Sequence, residues 1–349
     1  MLKLSRTAAA VSIAAALGAP AITHAQTFKV QKWNIGGEGG TDYVMAEQGT
    51  GRVFVSRSSH VMVVDGRTGQ VLGDIPNTPR MHGIALSEKS GHGFTTNGGD
   101  STVTMFDLKS LAELKRIKVS QGGLDGITYD DYSNTIILTN HSRPVGTVVA
   151  INAETGAIVG SVNLESDSPE GAVSDGKGMI YVNNEGTSTI QAIDEKSWTV
   201  TASWSVAPCD GPTGIAYDRA NDRVISGCSD HTIISDPNAK KVVASIDNGG
   251  RVDALGWDPS EKLVYIPSGA GGGTVTVARQ DGPDKYTVIA TVNTVAGAKT
   301  IAVDAVSHTA YLFQPEYGPP PAGSPAPAGG RGRGPRGPMV AGWFIAITH

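Results

Sequence analysis

Histidines and carboxylates recur in this chain at two kinds of position that could bring them together. One kind is the first residue of each copy of a short repeated sequence motif, the repeated phrase of this chain. These opening residues are Asp42, His82, Asp125, Glu170, Thr213, Asp253 and Lys299. The other kind lies in predicted loops, which supply His60, Asp100, His141, Arg143, Glu185, Asp210, Asp230, His231 and Glu316. Imidazole and carboxylate groups together can hold a divalent metal ion, or divide general-base and electrostatic work between them.

This residue set supports two hypotheses of different class. In the first, the side chains bind a small polar ligand, a cation or a protein partner, and the binding candidates are Asp42, His60, His82, Asp125, Arg143, Glu170, His231, Asp253 and Lys299. In the second, they form a metal-assisted hydrolase of lactonase or esterase type, or a lyase, and the catalytic candidates are His82, His141 and Asp125. A third interpretation, that the polar groups only line a solvated channel mouth, stays open.

One divalent metal ion is the cofactor that the pattern predicts, with His82, Asp125 and Glu170 as its first ligands. Histidine ligands favour zinc, manganese or iron, whereas carboxylates with retained waters favour calcium. The sequence contains no contiguous metal motif such as His-Glu-x-x-His, no Ser-His-Asp signature and no phosphate-binding glycine loop. We predict that Lys299 balances neighbouring carboxylates, and that the glycine-rich segment 36–40 is a flexible approach to the first repeat.

The repeated phrase predicts the architecture that must position these side chains. Seven copies, among them His82-Gly-Ile-Ala-Leu and Asp125-Gly-Ile-Thr-Tyr, follow one another at intervals of 40 to 46 residues. A repeat of this length with short alternating strands is typical of a β-propeller, so we predict an all-β, seven-bladed propeller. Each copy should supply four strands, which in the second copy are His82–Leu86, Gly93–Asn97, Val103–Asp107 and Leu114–Val119.

The two ends of the chain are predicted to close the ring. The last copy has strands at Thr300–Asp304, Ala310–Gln314 and Val340–Ile347 but lacks a fourth. The strand Phe28–Ile35 precedes the first copy, and in the last blade it would leave no unpaired edge. We therefore expect one domain over residues 26–349, with a mobile Pro- and Gly-rich loop at 317–338 that contains Arg331, Arg333 and Arg336.

Propeller geometry predicts that the candidate residues share one face. Loops that lead into the inner strand lie on the same face as loops that join the second strand to the third. Four histidines belong to that face, namely His60, His82, His141 and His231. By contrast, His92 and His308 belong to turns on the opposite face.

The N-terminal residues predict export. Residues 1–25 combine Lys3 and Arg6 with an apolar run over residues 8–17 and a small-residue cleavage site at Thr23–Ala25. This is the pattern of a secretory signal peptide, and its apolar run is too short to span a bilayer. We expect a periplasmic or secreted monomer without a membrane span. Its formal net charge of -5 argues against nucleic acid as a partner.

The two cysteines, Cys209 and Cys228, predict a disulfide if the protein is exported. They flank a hairpin between predicted strands Gly214–Tyr217 and Arg223–Gly227, so they are near cross-strand partners. A cysteine-based metal site is the alternative.

The repeat motifs resemble those of the YncE family of YVTN-repeat propellers. The resemblance rests on residues 214–218 (Gly-Ile-Ala-Tyr-Asp) with 223–225 (Arg-Val-Ile), and on residues 178–183 (Gly-Met-Ile-Tyr-Val-Asn) with 190–194 (Ile-Gln-Ala-Ile-Asp). It covers essentially all of residues 26–349 and implies an exported seven-bladed propeller, a family whose members often have no assigned reaction. At least one relative is associated with single-stranded DNA, which the acidic charge here does not favour.

Overall fold

The strands of this protein are grouped into small sheets that follow one another along the chain. The computed structural model describes residues 26–119, 122–323 and 336–349. Within these residues the strands form seven four-stranded antiparallel sheets, and six of the sheets use four consecutive strands. The predicted seven-bladed β-propeller is therefore confirmed.

Short strands joined by tight turns make up each consecutive blade. The first three such blades contain β2 (Val44–Ala46), β3 (Arg52–Ser56), β4 (Val61–Asp65), β5 (Val71–Ile75), β6 (Met81–Ser87), β7 (His92–Asn97), β8 (Thr102–Asp107), β9 (Glu113–Lys118), β10 (Gly123–Asp130), β11 (Thr135–His141), β12 (Thr147–Asn152) and β13 (Ile158–Asn163).

The next three blades repeat this order. They contain β14 (Pro169–Ser174), β15 (Met179–Asn184), β16 (Thr189–Asp194), β17 (Thr199–Ser205), β18 (Ile215–Asp218), β19 (Arg223–Gly227), β20 (His231–Asp236), β21 (Lys241–Asp247), β22 (Gly256–Asp258), β23 (Leu263–Ser268), β24 (Thr274–Gly282) and β25 (Lys285–Asn293). A single turn of 3₁₀ helix, Glu185–Thr187, follows β15.

The seventh blade joins the two ends of the chain, as the sequence predicts. Its strands are β26 (Ala302–Asp304), β27 (Thr309–Tyr317), β28 (Met339–Thr348) and β1 (Lys29–Asn34). The outermost strand of this blade is β1, which pairs with β28 over six residues. The N-terminal strand therefore closes the ring.

The hydrophobic core lies between adjacent blades. The middle strands are buried on both faces, because each blade is covered by a neighbour on either side; β11 is buried at every residue except its last. In one such layer, Phe94 and Val103 of the second blade pack with Leu124 and Ile151 of the third. The outer strands, such as β13, are largely exposed. This packing fixes the inner strands around the central channel.

The glycine-rich segment 36–40, predicted to be flexible, is held by a buried arginine. Arg57 is fully buried and donates hydrogen bonds to the carbonyl oxygens of Gly36 at 2.9 Å and Gly39 at 3.3 Å. Its guanidinium lies 4.5 Å from the ring centroid of Phe313 in the seventh blade. Burial lowers the pKa of Arg57 to about 10, although the charges of Tyr317 and Asp74 oppose this shift. The segment is thus tied to the closure region.

Two sequence predictions fall partly or wholly outside the described residues. The predicted signal peptide, residues 1–25, lies outside them, and so do Arg331 and Arg333 in the predicted loop. The strand β27 extends to Tyr317, so that residue belongs to the sheet rather than to the loop. Within the described ranges, no helix has the length and hydropathy needed to cross a membrane.

The predicted disulfide between Cys209 and Cys228 is present. Their Cα atoms are 5.6 Å apart, within the usual range for a disulfide. Cys209 lies in the loop that precedes β18, and Cys228 follows the last residue of β19. The bond therefore fastens the loop that leads into the fifth blade to that blade's second strand.

Replacing both cysteines by serine should lower the free energy of unfolding by about 3 kcal/mol, because the bond closes a loop of roughly 20 residues in the unfolded chain. Urea unfolding of the double variant and of the parent would measure the difference. Reductant should destabilise the parent to a similar extent and leave the double variant unchanged. If the double variant and the oxidised parent were equally stable, that result would contradict this account.

Candidate functional site

Three of the opening residues occupy equivalent irregularities at the start of their inner strands. The pairing register shifts between Met81 and Ile84 in β6, between Leu124 and Ile127 in β10, and between Pro169 and Ala172 in β14. These shifts contain His82, Asp125 and Glu170, respectively. A β-bulge bends its strand and redirects a side chain. The bulges thus turn one polar side chain in each of these three blades toward the channel mouth.

A glycine follows each of these three opening residues because neighbouring blades approach closely there. A Cβ atom at Gly83 would lie 2.6 Å from Ile127 Cγ2, and one at Gly126 would lie 2.6 Å from the carbonyl oxygen of Glu170. At Gly171 it would lie 2.7 Å from the carbonyl oxygen of Thr213. The glycines therefore allow the inner strands to pack together and bring their opening residues within reach of one another.

The opening residues line a polar cavity at the channel mouth, which we call the mouth cavity. Its volume is about 350 Å³, and its lining residues are Thr41, Asp42, Tyr43, Ser58, Arg80, Met81, His82, Asp125, Glu170, Asp253 and Lys299. Six of the seven opening residues are among them. The exception is Thr213, a buried residue whose hydroxyl donates to the carbonyl oxygen of Val252 at 2.9 Å.

One group of possible metal ligands in the mouth cavity is centred on His82. Its Nδ1 donates a hydrogen bond to Asp42 Oδ2 at 2.6 Å and lies 3.7 Å from Asp125 Oδ1. Asp42 is itself held by Ser56, whose hydroxyl oxygen accepts a hydrogen bond from the Asp42 backbone amide at 2.7 Å. The ligand atoms of Asp42, His82 and Asp125 all lie within 4.8 Å of one another.

A second group is centred on His141, the last residue of β11, which adjoins the mouth cavity but lines a neighbouring cavity together with Arg143 and Asp167. Its Nε2 lies 3.6 Å from Asp125 Oδ2 and 3.4 Å from Glu170 Oε1. This nitrogen is buried and has no hydrogen-bond partner among the described residues. The ligand atoms of Asp125, His141 and Glu170 again lie within 4.8 Å of one another. Asp125 is common to both groups.

Burial and mutual repulsion of carboxylates dominate the electrostatics of the mouth cavity. Burial, with the added charges of Asp125 and Asp253, raises the pKa of Glu170 far above the usual carboxyl value. Burial also raises the pKa of Asp125, and the charge of Asp42 adds to it, although His82 opposes the shift. Without a bound cation, the cavity therefore stabilises protonated carboxyl groups.

The basic residues offset only part of this negative charge. Lys299 donates to Asp253 and forms an ion pair with it, so these two charges compensate each other. Burial lowers the pKa of His82, but its hydrogen bond to Asp42 and the charge of Asp125 outweigh burial and raise that pKa overall. An imidazole held in this way can keep or pass on a proton at the wall of the cavity.

Three predicted binding residues lie apart from the mouth cavity. His60 Nε2 is 3.5 Å from Asp74 Oδ1, and His231 Nδ1 is 2.8 Å from Asp230 Oδ1. The side chain of Arg143 is 91% exposed. None of these predicted binding residues belongs to the described lining of the mouth cavity.

Sequence analysis missed one prominent member of the cavity wall, Tyr43. Burial, with the charges of Asp125 and Glu170, raises the pKa of its phenol well above the usual value. A signal for it was present, because the first copy has tyrosine where the second, third, fourth and fifth have glycine. Arg80 and Ser58 also line the cavity. They lie outside the repeated phrase, so comparing its copies gave no indication of their place in the cavity.

No protein-family model matches this sequence, and no curated protein matches it. Several solved structures are similar in fold. The chain in "Structure of U3-55K" has 11% identity and a TM-score of 0.75, with 92% of this chain and 98% of that chain covered.

Two further solved structures share this fold. One, from "Kuenenia stuttgartiensis Hydrazine Synthase", has 16% identity and a TM-score of 0.69 over 84% of this chain and 96% of that chain. Another, from "Crystal Structure of Mitotic Checkpoint Complex", has 13% identity and a TM-score of 0.70 over 88% and 95%. Identities this low show that the chain is a propeller with WD40-like neighbours in fold space, and they assign no activity.

Proposed function

We propose that this protein binds a divalent cation in the mouth cavity and uses that cavity to hold a small polar ligand or a partner. The observation behind the proposal is the pair of histidine–carboxylate groups that share Asp125 of the mouth cavity. Glu170 adds to it, because it is only 8% exposed and its Oε1 lies 3.4 Å from His141 Nε2, a buried nitrogen that makes no hydrogen bond to the described residues. A buried carboxylate without such a partner is costly unless a cation or a proton neutralises it.

The distances also support a cation. Two ligand atoms bonded at about 2 Å to one tetrahedral ion lie about 3.3 Å apart. Nε2 of His141 lies 3.6 Å from Asp125 Oδ2 and 3.4 Å from Glu170 Oε1, which is too long for good hydrogen bonds but close to this spacing. Because each group includes a histidine, manganese and zinc fit it better than calcium or magnesium.

Manganese and zinc should therefore raise the thermal stability of the metal-depleted, untagged protein. An ion at 100 times its dissociation constant stabilises the native state by about 2.7 kcal/mol. Calorimetric titration and thermal unfolding would measure binding and stabilisation in the same preparation. We expect His82→Ala and Glu170→Ala each to weaken binding at least tenfold.

The matched control is His231→Ala, since His231 also faces a carboxylate at short distance but lies outside the mouth cavity. It should bind as the parent does. Negligible binding of manganese, zinc and calcium to the parent would refute the proposal, and equal losses in all three variants would mean that the ions bind elsewhere.

Metal-assisted hydrolysis or elimination is the second candidate, favoured by the Asp42–His82 hydrogen bond of 2.6 Å. A carboxylate that orients a histidine is a common arrangement for proton transfer. A metal ion, when bound, would lower the pKa of a water molecule. His82, His141 and Asp125 would then orient the substrate and move protons, and a panel of lactones and aryl esters tested with manganese or zinc would reveal turnover.

Export and family membership are also part of the proposal. The disulfide supports an oxidising compartment, and residues 1–25 carry the signal-peptide pattern. The repeat motifs support membership in the YncE-like group of propellers. N-terminal sequencing of the protein from a periplasmic extract would test export, and a chain that retains residues 1–25 in the cytoplasm would contradict it.

A further inference from the structure

The two ligand groups at the mouth cavity share one carboxylate, that of Asp125. Each group uses a different oxygen of that carboxylate. Asp125 Oδ1 faces His82 Nδ1 at 3.7 Å, and Asp125 Oδ2 faces His141 Nε2 at 3.6 Å. The remaining ligand atoms are Asp42 Oδ2 on the His82 side and Glu170 Oε1 on the His141 side.

We propose that the mouth cavity holds two divalent cations bridged by the carboxylate of Asp125. This inference rests on the proposed function and extends it from one ion to two. The first ion would take Asp42, His82 and Asp125 as ligands, and the second would take Asp125, His141 and Glu170. Each ion keeps at least one coordination position for water or a ligand, as catalytic and ligand-binding metal sites do.

The carboxylates of the cavity can engage an ion on each side of Asp125. Lys299 compensates Asp253, and Arg80 adds one positive charge to a lining that also contains Asp42, Asp125 and Glu170. An ion on each side would give each of these three carboxylates a directly bound cation, and an anionic ligand at the open coordination positions would balance the remaining positive charge. Two ions that share a bridging carboxylate lie about 3.5 to 4 Å apart.

The second observation behind this inference is that the His141 side has no internal hydrogen bond. Glu170 is more than nine-tenths buried, and Nε2 of His141 makes no hydrogen bond to the described residues. On the His82 side, by contrast, Asp42 accepts a hydrogen bond from His82 Nδ1, which an ion would have to replace. We therefore expect the His141 side to fill before the His82 side.

Manganese loading of the untagged, metal-depleted protein tests the inference. Equilibrium dialysis followed by elemental analysis should give two manganese ions per chain, and electron paramagnetic resonance should show the spectrum of an exchange-coupled pair. Glu170→Gln and Asp42→Asn should each retain one ion and lose the coupled spectrum. Asp230→Asn, which changes a carboxylate beside His231 outside the cavity, should keep two coupled ions.

The possible outcomes separate this inference from the proposed function. Two ions with a coupled spectrum support both. One ion in the parent, or two without coupling, overturns the bridged pair and leaves cation binding in place. No bound manganese, zinc or calcium overturns both. The Glu170→Gln and Asp42→Asn variants decide the question without altering the bridging carboxylate, because each changes only one side of the pair.

Discussion

Deletion of residues 26–36 should abolish cooperative unfolding of the propeller. These residues supply β1, which pairs with β28 from Lys29 opposite Thr348 to Asn34 opposite Trp343. Without β1, the outer edge of β28 would lose its partner strand, and the seventh blade would keep only β26, β27 and β28. An exposed strand edge also promotes aggregation.

Side-chain contacts make the expected effect larger than the loss of one strand. The ring of Trp33 lies 5.9 Å from that of Phe344, and Trp33 and Ile35 pack against the core cluster shared by the first and seventh blades. Deletion would also remove Gly36, whose carbonyl oxygen accepts a hydrogen bond from Arg57. A buried guanidinium that loses a hydrogen-bond partner is strongly destabilising.

Calorimetry and circular dichroism of the truncated protein would measure the effect. A deletion of the same length within residues 324–335 is the matched control, because it shortens the Pro- and Gly-rich segment and leaves β1 and β28 intact. The control should unfold cooperatively near the melting temperature of the parent. A truncated protein that also melts like the parent would show that β1 does not hold the ring closed.

The architecture was predictable because it depends on a pattern that repeats. The predicted inner strand His82–Leu86 is observed as Met81–Ser87, and Arg223–Gly227 is observed as predicted. The predicted strand Gly214–Tyr217 is observed one residue later, as Ile215–Asp218. Gly214 still accepts a hydrogen bond from the Gly227 backbone amide at 2.8 Å, and a Cβ atom at Gly214 would lie 2.6 Å from Ala254 in the adjacent blade. Such packing between blades cannot be read from one repeat.

The candidate site was only partly predictable. Asp42, Asp125 and Glu170 follow from the repeat, since equivalent positions in a ring point toward one axis. His60 and His231 do not, because each turns toward a nearby carboxylate outside the mouth cavity, Asp74 and Asp230, respectively. The difference depends on loop conformation, which the repeat does not encode.

His141 is the last residue of β11, whereas His231 is the first residue of β20 and His60 lies in the loop before β4. His141 pairs with Gly123 at the start of β10, which places its imidazole beside Asp125. That register depends on the bulge between Leu124 and Ile127. A bulge moves every later residue by one position, so its presence decided whether His141 came to lie beside Asp125.

The stability of the metal-free protein should fall as the pH rises above the usual carboxyl range, and Glu170→Gln should reduce that fall. The pKa values of Glu170 and Asp125 are raised in the folded state, primarily by burial. Above about pH 4, the unfolded chain therefore releases these protons while the folded protein keeps them. Because the unfolded state then binds fewer protons, the free energy of unfolding decreases with pH until the folded-state pKa values are passed.

Glutamine removes the ionisable group at residue 170 and keeps nearly the same shape, so Glu170→Gln should be more stable than the parent at pH 8 by at least about 1.4 kcal/mol, the equivalent of one pKa unit. Denaturant unfolding of chelator-treated protein between pH 4.5 and 8.5 would measure the profile, with Glu88→Gln on an exposed turn as the control. Saturating manganese should flatten the parent profile, because a bound cation stabilises the ionised carboxylates. Identical profiles for the parent and Glu170→Gln would show that this buried carboxyl group carries no raised pKa, and the electrostatic argument for a cation in the mouth cavity would fail with it.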